Sequence, residues 1–390
     1  MSLFHWRHSR STSKHNYTKW NLAIFRLAIV AILLTTVLGA IPASAEGNEA
    51  TAVQAPFGVE YAVPNGPRNL VEEAPGRIWY TATEAGGIGF LEVISGPDES
   101  VIRYRTDFYG LGEVSEPYDL VYHNGVVWFT LRGIRSLGRI DTVTREIKTY
   151  PLLTVGAAPT GIDVAPDGML WIAQNNGRIS RFDPTSETFT EYVMPDPLAA
   201  QPRVEDIVYQ NARNVWFTMP DSNLVVAYDT VRDRFFGIAT GHLQPMGITF
   251  DSEGSLWVTT YGDSRIGRYT PTTVSLWVWY DTVTPDSGPV GVLAFKNAQN
   301  VLDVWVTENK TGTIARMQII NTFEVVTRER LGPNAPSGNT WGIILSSNGN
   351  IWVADTGRNL LYEIKPPYIH RTYIASVVKE PSEQIAVNTP

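Results

Sequence analysis

The chain has no cysteine in its 390 residues, which excludes disulfides, thiolate metal sites, a cysteine nucleophile and a lipid-modified cysteine. Stability must therefore come from packing. Histidine is scarce: there are six, three of them in the first 45 residues, leaving His123, His242 and His370 with no His-x-x-x-His spacing. No Ser-His-Asp order and no Gly-rich phosphate loop appears in the rest of the chain, so those enzyme classes lack support. Basic charge is also short. Arg7, Arg10, Lys14, Lys19 and Arg26 all lie in the first 45 residues, which hold no acidic residue, and without this leader the formal net charge moves from −8 to −13. Such a surface repels phosphate backbones and anionic headgroups, so nucleic acid is not an expected partner.

The leader itself has a plain reading. A basic stretch, an apolar run over 27–41 and the small-residue site Ala43-Ser44-Ala45 form a secretory signal, and cleavage leaves Glu46 as the new N-terminus. A retained leader would instead anchor the chain through residues 20–41, whose length approaches the roughly 20 residues of a membrane span, although Arg26 interrupts it. The expected location is secreted or extracytoplasmic. Residues 46–378 are expected to form one domain, and residues 379–390, polar and Pro-containing, a disordered tail.

What the chain does have is tryptophan at a fixed interval. Trp79, Trp128, Trp171, Trp216, Trp257, Trp305 and Trp352 recur every 41 to 49 positions, each closing a short apolar strand. Around them runs a longer line: Pro159-Thr160-Gly161-Ile162, then Leu170-Trp171-Ile172-Ala173, then Arg178-Ile179-Ser180-Arg181-Phe182-Asp183. It returns as Pro245-Met246-Gly247-Ile248, Leu256-Trp257-Val258-Thr259 and Arg265-Ile266-Gly267-Arg268-Tyr269. This period, with Gly and Asp turns between strands too short for helices, predicts one four-stranded blade per repeat. The expected fold is all-β, a monomeric seven-bladed β-propeller of four-stranded antiparallel blades around a central channel. The blades span about 68–106, 118–150, 160–193, 203–238, 246–280, 290–328 and 341 onward. Each Trp fills the wedge between blades. The last outer strand comes either from residues 59–64, closing the ring with the N-terminus, or from residues 368–376; the first leaves no open strand edge and is preferred.

The line Pro-x-Gly-Ile, Asp-Gly-x-Leu-Trp, Ile-Gly-Arg and Glu-Tyr resembles the streptogramin B lyase (virginiamycin B lyase) group of seven-bladed propellers over roughly residues 57–365. The resemblance implies a lyase that opens a cyclic depsipeptide by elimination at its ester, using a His at the start of an inner strand, a Glu shortly after that blade's Trp, and magnesium. The equivalent positions here read Arg68, Tyr118, Thr160, Arg203, Met246, Val290 and Trp341, with no His. Glu116-Pro117-Tyr118 keeps the first letters of the family element and puts a phenol, of ordinary pKa near 10, where the base would be.

Inner-strand starts and Trp-strand ends converge on one mouth of a propeller channel, where ligands bind. The ligand-binding residues this predicts are Arg68, Tyr118, Gln174, Arg203, Glu205 and Tyr261. Arg68 and Arg203 are the expected clamp for a carboxylate or sulfate. Glu308 and Asp355, each three residues after its blade's Trp, are the expected metal ligands for magnesium or calcium, with turn and inter-blade hydrogen bonding as the plainer role. Trp277 and Trp279 share a strand face by alternation, giving either a flat sugar- or protein-binding patch or packing under a loop. Asp163 and Asp251 read as hairpin residues. Besides an extracytoplasmic scaffold with no small ligand, two functions follow. One is a binding module for a small molecule or extracellular protein that lacks the family's catalytic His. The other is a metal-assisted lyase, or a lactonase-like hydrolase, with Tyr118 or Arg203 assisting catalysis at the mouth.

Overall fold

Period-two alternation between tight turns leaves the chain little to build but antiparallel strands, and strands are what it builds. The computed structural model describes residues 48–55, 58–95, 101–195, 203–211, 213–270, 276–282, 284–320, 325–331 and 339–365. The leader, the tail, His370 and the segment 368–376 lie outside the described residues. Seven sheets follow one another in chain order, each running from an inner strand to an outer one. Blade 2 is typical: Pro117–His123, Val126–Leu131 with the Trp, Ser136–Asp141, then Ile147–Pro151 outermost. The predicted propeller of four-stranded blades is the fold.

Closure comes from the N-terminus. The strand Gly58–Ala62 pairs antiparallel with Leu360–Ile364, the third strand of blade 7, and so supplies that blade's outer strand as preferred from sequence. Tyr61 is fully buried there, stacked on Trp352 with ring centroids 5.1 Å apart, and its hydroxyl donates to Glu363 at 2.8 Å. Two further strands were not foreseen. Val53–Ala55 pairs outside Gly58–Ala62 on blade 7, and Asn48–Thr51 pairs with the outer strand Arg103–Gly110 of blade 1. The arm thus lies across the outer rim at the seam where the ring closes.

The seven Trp residues are all buried, and each belongs to a different apolar cluster. Trp79 packs with Leu120, Val127 and Phe129 of the following blade, and Trp128 with Ile162, Leu170 and Ile172. Trp352 packs with Leu70, Ile78 and Tyr80 of blade 1, completing the circle. Three indole N–H groups find acceptors six residues upstream, on Glu73, Gln210 and Asp251.

A second circle runs round the channel in hydrogen bonds. Thr81, Thr130, Thr218, Thr259 and Thr307, two residues after their Trp, each donate through Oγ1 to the carbonyl of the second inner-strand residue of the next blade: Tyr118, Thr160, Met246, Val290 and Trp341. Each Thr oxygen accepts a backbone N–H of its own inner strand, as Gly247 and Gly291 show. Blades 3 and 7 carry Ala173 and Ala354 instead of Thr. There Gly161 and Gly342 donate directly to the carbonyls of Glu205 and Arg68. The approach is close: a Cβ built on Gly247 would sit 2.0 Å from the Val290 carbonyl oxygen, so only glycine fits at that position.

The candidate ligand site at the channel mouth

The hydrogen-bonded circle fixes which residue of each blade faces the mouth. The seven are Arg68, Tyr118, Thr160, Glu205, Met246, Val290 and Trp341. Blade 4 therefore differs from the position expected from its repeat: Glu205, not Arg203, holds the ring position, and Arg203 lies two residues before it. The ring has two halves. Blades 1 to 4 supply polar or charged side chains, and blades 5 to 7 supply Met246, Val290 and Trp341.

Arg68 and Glu205 meet across the mouth. The Arg68 guanidinium lies 3.5 Å from the Trp341 ring centroid and 3.9 Å from that of Tyr118, with Nη2 3.7 Å from Glu205 Oε1. The Tyr118 hydroxyl donates to the same Oε1. Arg203 donates to Oε2 from Nε and Nη2, at 3.2 and 2.8 Å, and pairs with Asp221 at 3.6 Å. Arg132 covers the Tyr118 ring at 4.8 Å while bonded to Glu116 at 2.9 Å. Burial raises the Tyr118 phenol well above its ordinary value, Arg68 opposes this, and Glu205 adds to it. Tyr118 is therefore a hydrogen-bond donor and not a base near neutral pH, and Arg203 stays charged and occupied. The two sequence candidates for catalysis are brought to the mouth but hold structural partners there.

Below the ring stands a feature that sequence reading missed. Asp119, Asp163 and Asp206, on inner strands, each accept a backbone N–H from the next blade: Ile162 at 3.0 Å, Tyr209 at 2.7 Å and Ile248 at 3.1 Å. Asp163 is thus an inter-blade stitch and not a hairpin residue. Asp251 does cap a turn, accepting from Glu253 and Ser255. Burial pushes Asp163 up to about 6, despite the N–H groups it accepts. Asp119 and Asp206 are raised too, first by burial and further by neighbouring carboxylates, with Arg68 drawing Asp119 back down.

Gln174, Glu308 and Asp355 stand opposite Pro159, Pro289 and Thr340, beside the ring residues, but are engaged by partners within the fold. Gln174 is fully buried within blade 3, donating to Ser180 and Glu191. Tyr261 lies on the rim, half-buried, with Lys310 4.8 Å above its ring. Glu308 is buried and accepts from Thr284 N, Thr284 Oγ1 and Thr313 Oγ1 at 3.3, 3.0 and 2.6 Å. Asp355 is buried against Arg358 at 3.2 Å and accepts from the Asn339 amide at 3.1 Å. Each serves its own blade, and no group of three or more His or acidic side chains fit for a metal occurs among the described residues. The pair does not fit a magnesium or calcium site. Trp277 and Trp279 do share a face and stack, 4.9 Å apart. They lie over Gly267, with Trp279 4.2 Å from the His242 ring and Trp277 5.1 Å from Tyr269, so both are half-buried packing. His242 itself is paired with Asp263, and His123 contacts Asn124; neither is on the ring.

Comparison with known proteins agrees with this architecture. The virginiamycin B lyase family model matches residues 56–234, which contain the four polar ring members. A virginiamycin B lyase of Nocardia farcinica (strain IFM 10152) is 29% identical over 151 residues, 38% of this chain and 50% of the relative. The chain's match thus spans about half the length of that curated relative. Among solved structures, a catalytically inactive His-to-Ala variant of virginiamycin B lyase from Staphylococcus aureus with quinupristin covers 82% of this chain and 100% of its own, at a TM-score of 0.65 and 23% identity. The WD40 propeller domain of Doa1 reaches 0.62 at 11% identity, covering 82% of this chain and 98% of its own, a likeness of fold alone. The chain is a seven-bladed β-propeller that is similar over residues 56–234 to the virginiamycin B lyase family.

Proposed function

We propose that the chain is an extracytoplasmic binding module that seats a small amphipathic ligand on the mouth ring and leaves it chemically intact. The carrying observation is the ring itself. Removal of a proton next to a carbonyl needs a base held within reach and titrating near the working pH. Here Arg68 is a cation, Tyr118 is held protonated, and both oxygens of Glu205 are engaged by Tyr118 and Arg203. No His stands at any of the seven positions, whereas a His-to-Ala variant of the Staphylococcus aureus relative is catalytically inactive. Of the apolar half, Trp341 is half-buried and gives the ligand a surface to cover, with Met246 and Val290 buried beside it, and the signal-like leader favours a small extracellular molecule over nucleic acid.

Calorimetric titration of the full chain with quinupristin, the compound present with the Staphylococcus aureus relative, tests this reading. Saturable binding is expected, weakened about tenfold or more by Trp341→Ala, since a Trp at the centre of a site commonly contributes about 2 kcal/mol or more. Absence of binding by quinupristin and by smaller amphipathic acids up to millimolar concentration, or binding indifferent to Trp341, would overturn it.

A further inference from the structure

Arg68 is held in an unusual state for a guanidinium. Its side chain is 13% exposed, clamped between the rings of Trp341 and Tyr118. Yet it makes no side-chain hydrogen bond among the described residues, and its Nε is buried without a partner. Its nearest anion, Glu205, stands at 3.7 Å, beyond hydrogen-bond range, and is already bonded to Tyr118 and Arg203. Every other arginine at the mouth is satisfied: Arg203 by Glu205 and Asp221, Arg132 by Glu116. A flat five-donor group fixed by stacking has lost its conformational freedom before any ligand arrives, so an incoming acceptor pays little to order it. Arg203 and Arg132 are offset by Glu205, Asp221 and Glu116, so the attraction for an anion rests on the unbonded donors of Arg68 and not on a net positive mouth.

We infer that the mouth ligand carries a carboxylate, received by the free edge of Arg68, beside an apolar body lying on Trp341. This rests on the proposed function and makes its ligand class specific. Arg68 alone does the work assigned from sequence to an Arg68 and Arg203 pair, because the Nε–Nη2 edge of Arg203 is held by Glu205 and its Nη1 faces Asp221. A carboxylate suits the site better than a neutral carbonyl because it adds a full opposite charge and two oxygens that match the guanidinium fork with parallel bonds.

The test compares 3-phenylpropionate with 3-phenylpropionamide, which differ only in the acceptor group, by ligand-observed NMR titration of the full chain. The acid is expected to bind about tenfold or more tightly than the amide. Arg68→Gln should abolish that difference and Arg68→Lys restore part of it, with thermal midpoints confirming that both variants fold. Equal binding of acid and amide, or binding of quinupristin with neither probe bound, would overturn the carboxylate and leave the binding module standing. Failure of the probes and of quinupristin together would overturn both.

Discussion

At the scale of single residues, the Thr circle is the most consequential detail, since it aligns seven inner strands at one height and so defines the mouth. Thr259 takes an N–H from Gly247 and gives a hydrogen to the Val290 carbonyl. Thr259→Val keeps the shape and strands both groups, so it should cost about 1–3 kcal/mol in chemical unfolding. Thr259→Ala should cost less, because Ala173 and Ala354 show that blades without the hydroxyl join through a direct N–H to carbonyl bond. Equal losses would show that the relay is not the relevant contact. The same circle explains why the blade 4 position was misread. Pro202-Arg203 imitates the Pro-x pair of the other repeats, but the true line is Val204-Glu205-Asp206-Ile207, with Val for Pro and Asp for Gly. Asp206 still gives its N–H to Thr218 as Gly247 does to Thr259, so geometry preserves what the letters lose. Arg68 and Tyr118 were legible because their Pro survives. The Arg68 stack was not, since it joins residues 50 and 273 positions apart.

Among elements, the N-terminal strands divide into one that closes the fold and two that decorate it. Gly58–Ala62 buries Tyr61 between Trp352 and Tyr104, while Asn48–Thr51 is exposed along its whole length. Tyr61→Ala should therefore cost about 3–5 kcal/mol and speed amide exchange in Leu360–Ile364. Ala substitutions along Asn48–Thr51 should each stay within about 0.5 kcal/mol. Large losses from the exposed strand would mean that the rim arm, and not Tyr61, holds the ring shut. Period and alternation made the blades and the closing strand readable. The two rim strands were not, because Asn48-Glu49-Ala50-Thr51 carries no apolar alternation and pairs through backbone alone. Glu308 and Asp355 misled for a related reason: a carboxylate after the Trp strand looks the same in sequence whether it faces a metal or, as here, Thr hydroxyls and an arginine.

For the molecule as a whole, the channel carboxylates make stability depend on pH in a direction opposite to ordinary acid denaturation. Asp119, Asp163 and Asp206 have folded values above their unfolded ones. Protonation therefore favours the folded state, and the gain grows as pH falls through about 6 toward the unfolded range near 4. Asp229, held low by Arg213, has the reverse sign and loses its contribution progressively as pH falls below the ordinary carboxylate range. The thermal midpoint should rise by about 2–6 °C between pH 8 and pH 5.5, and Asp163→Asn should flatten that rise. A midpoint that falls over this interval would contradict the buried-carboxylate account. Function at this scale turns on whether the mouth holds its ligand or opens it. Elimination at an ester linkage inside a ring leaves the mass unchanged, whereas hydrolysis adds one water, so chromatography and mass together tell the fates apart. Quinupristin incubated with the full chain and recovered by reversed-phase chromatography with mass detection should return with its original retention and mass. A product of equal mass and altered retention, or one heavier by a water, would show that the chain is a working enzyme and contradict the reading of the mouth as a binding site.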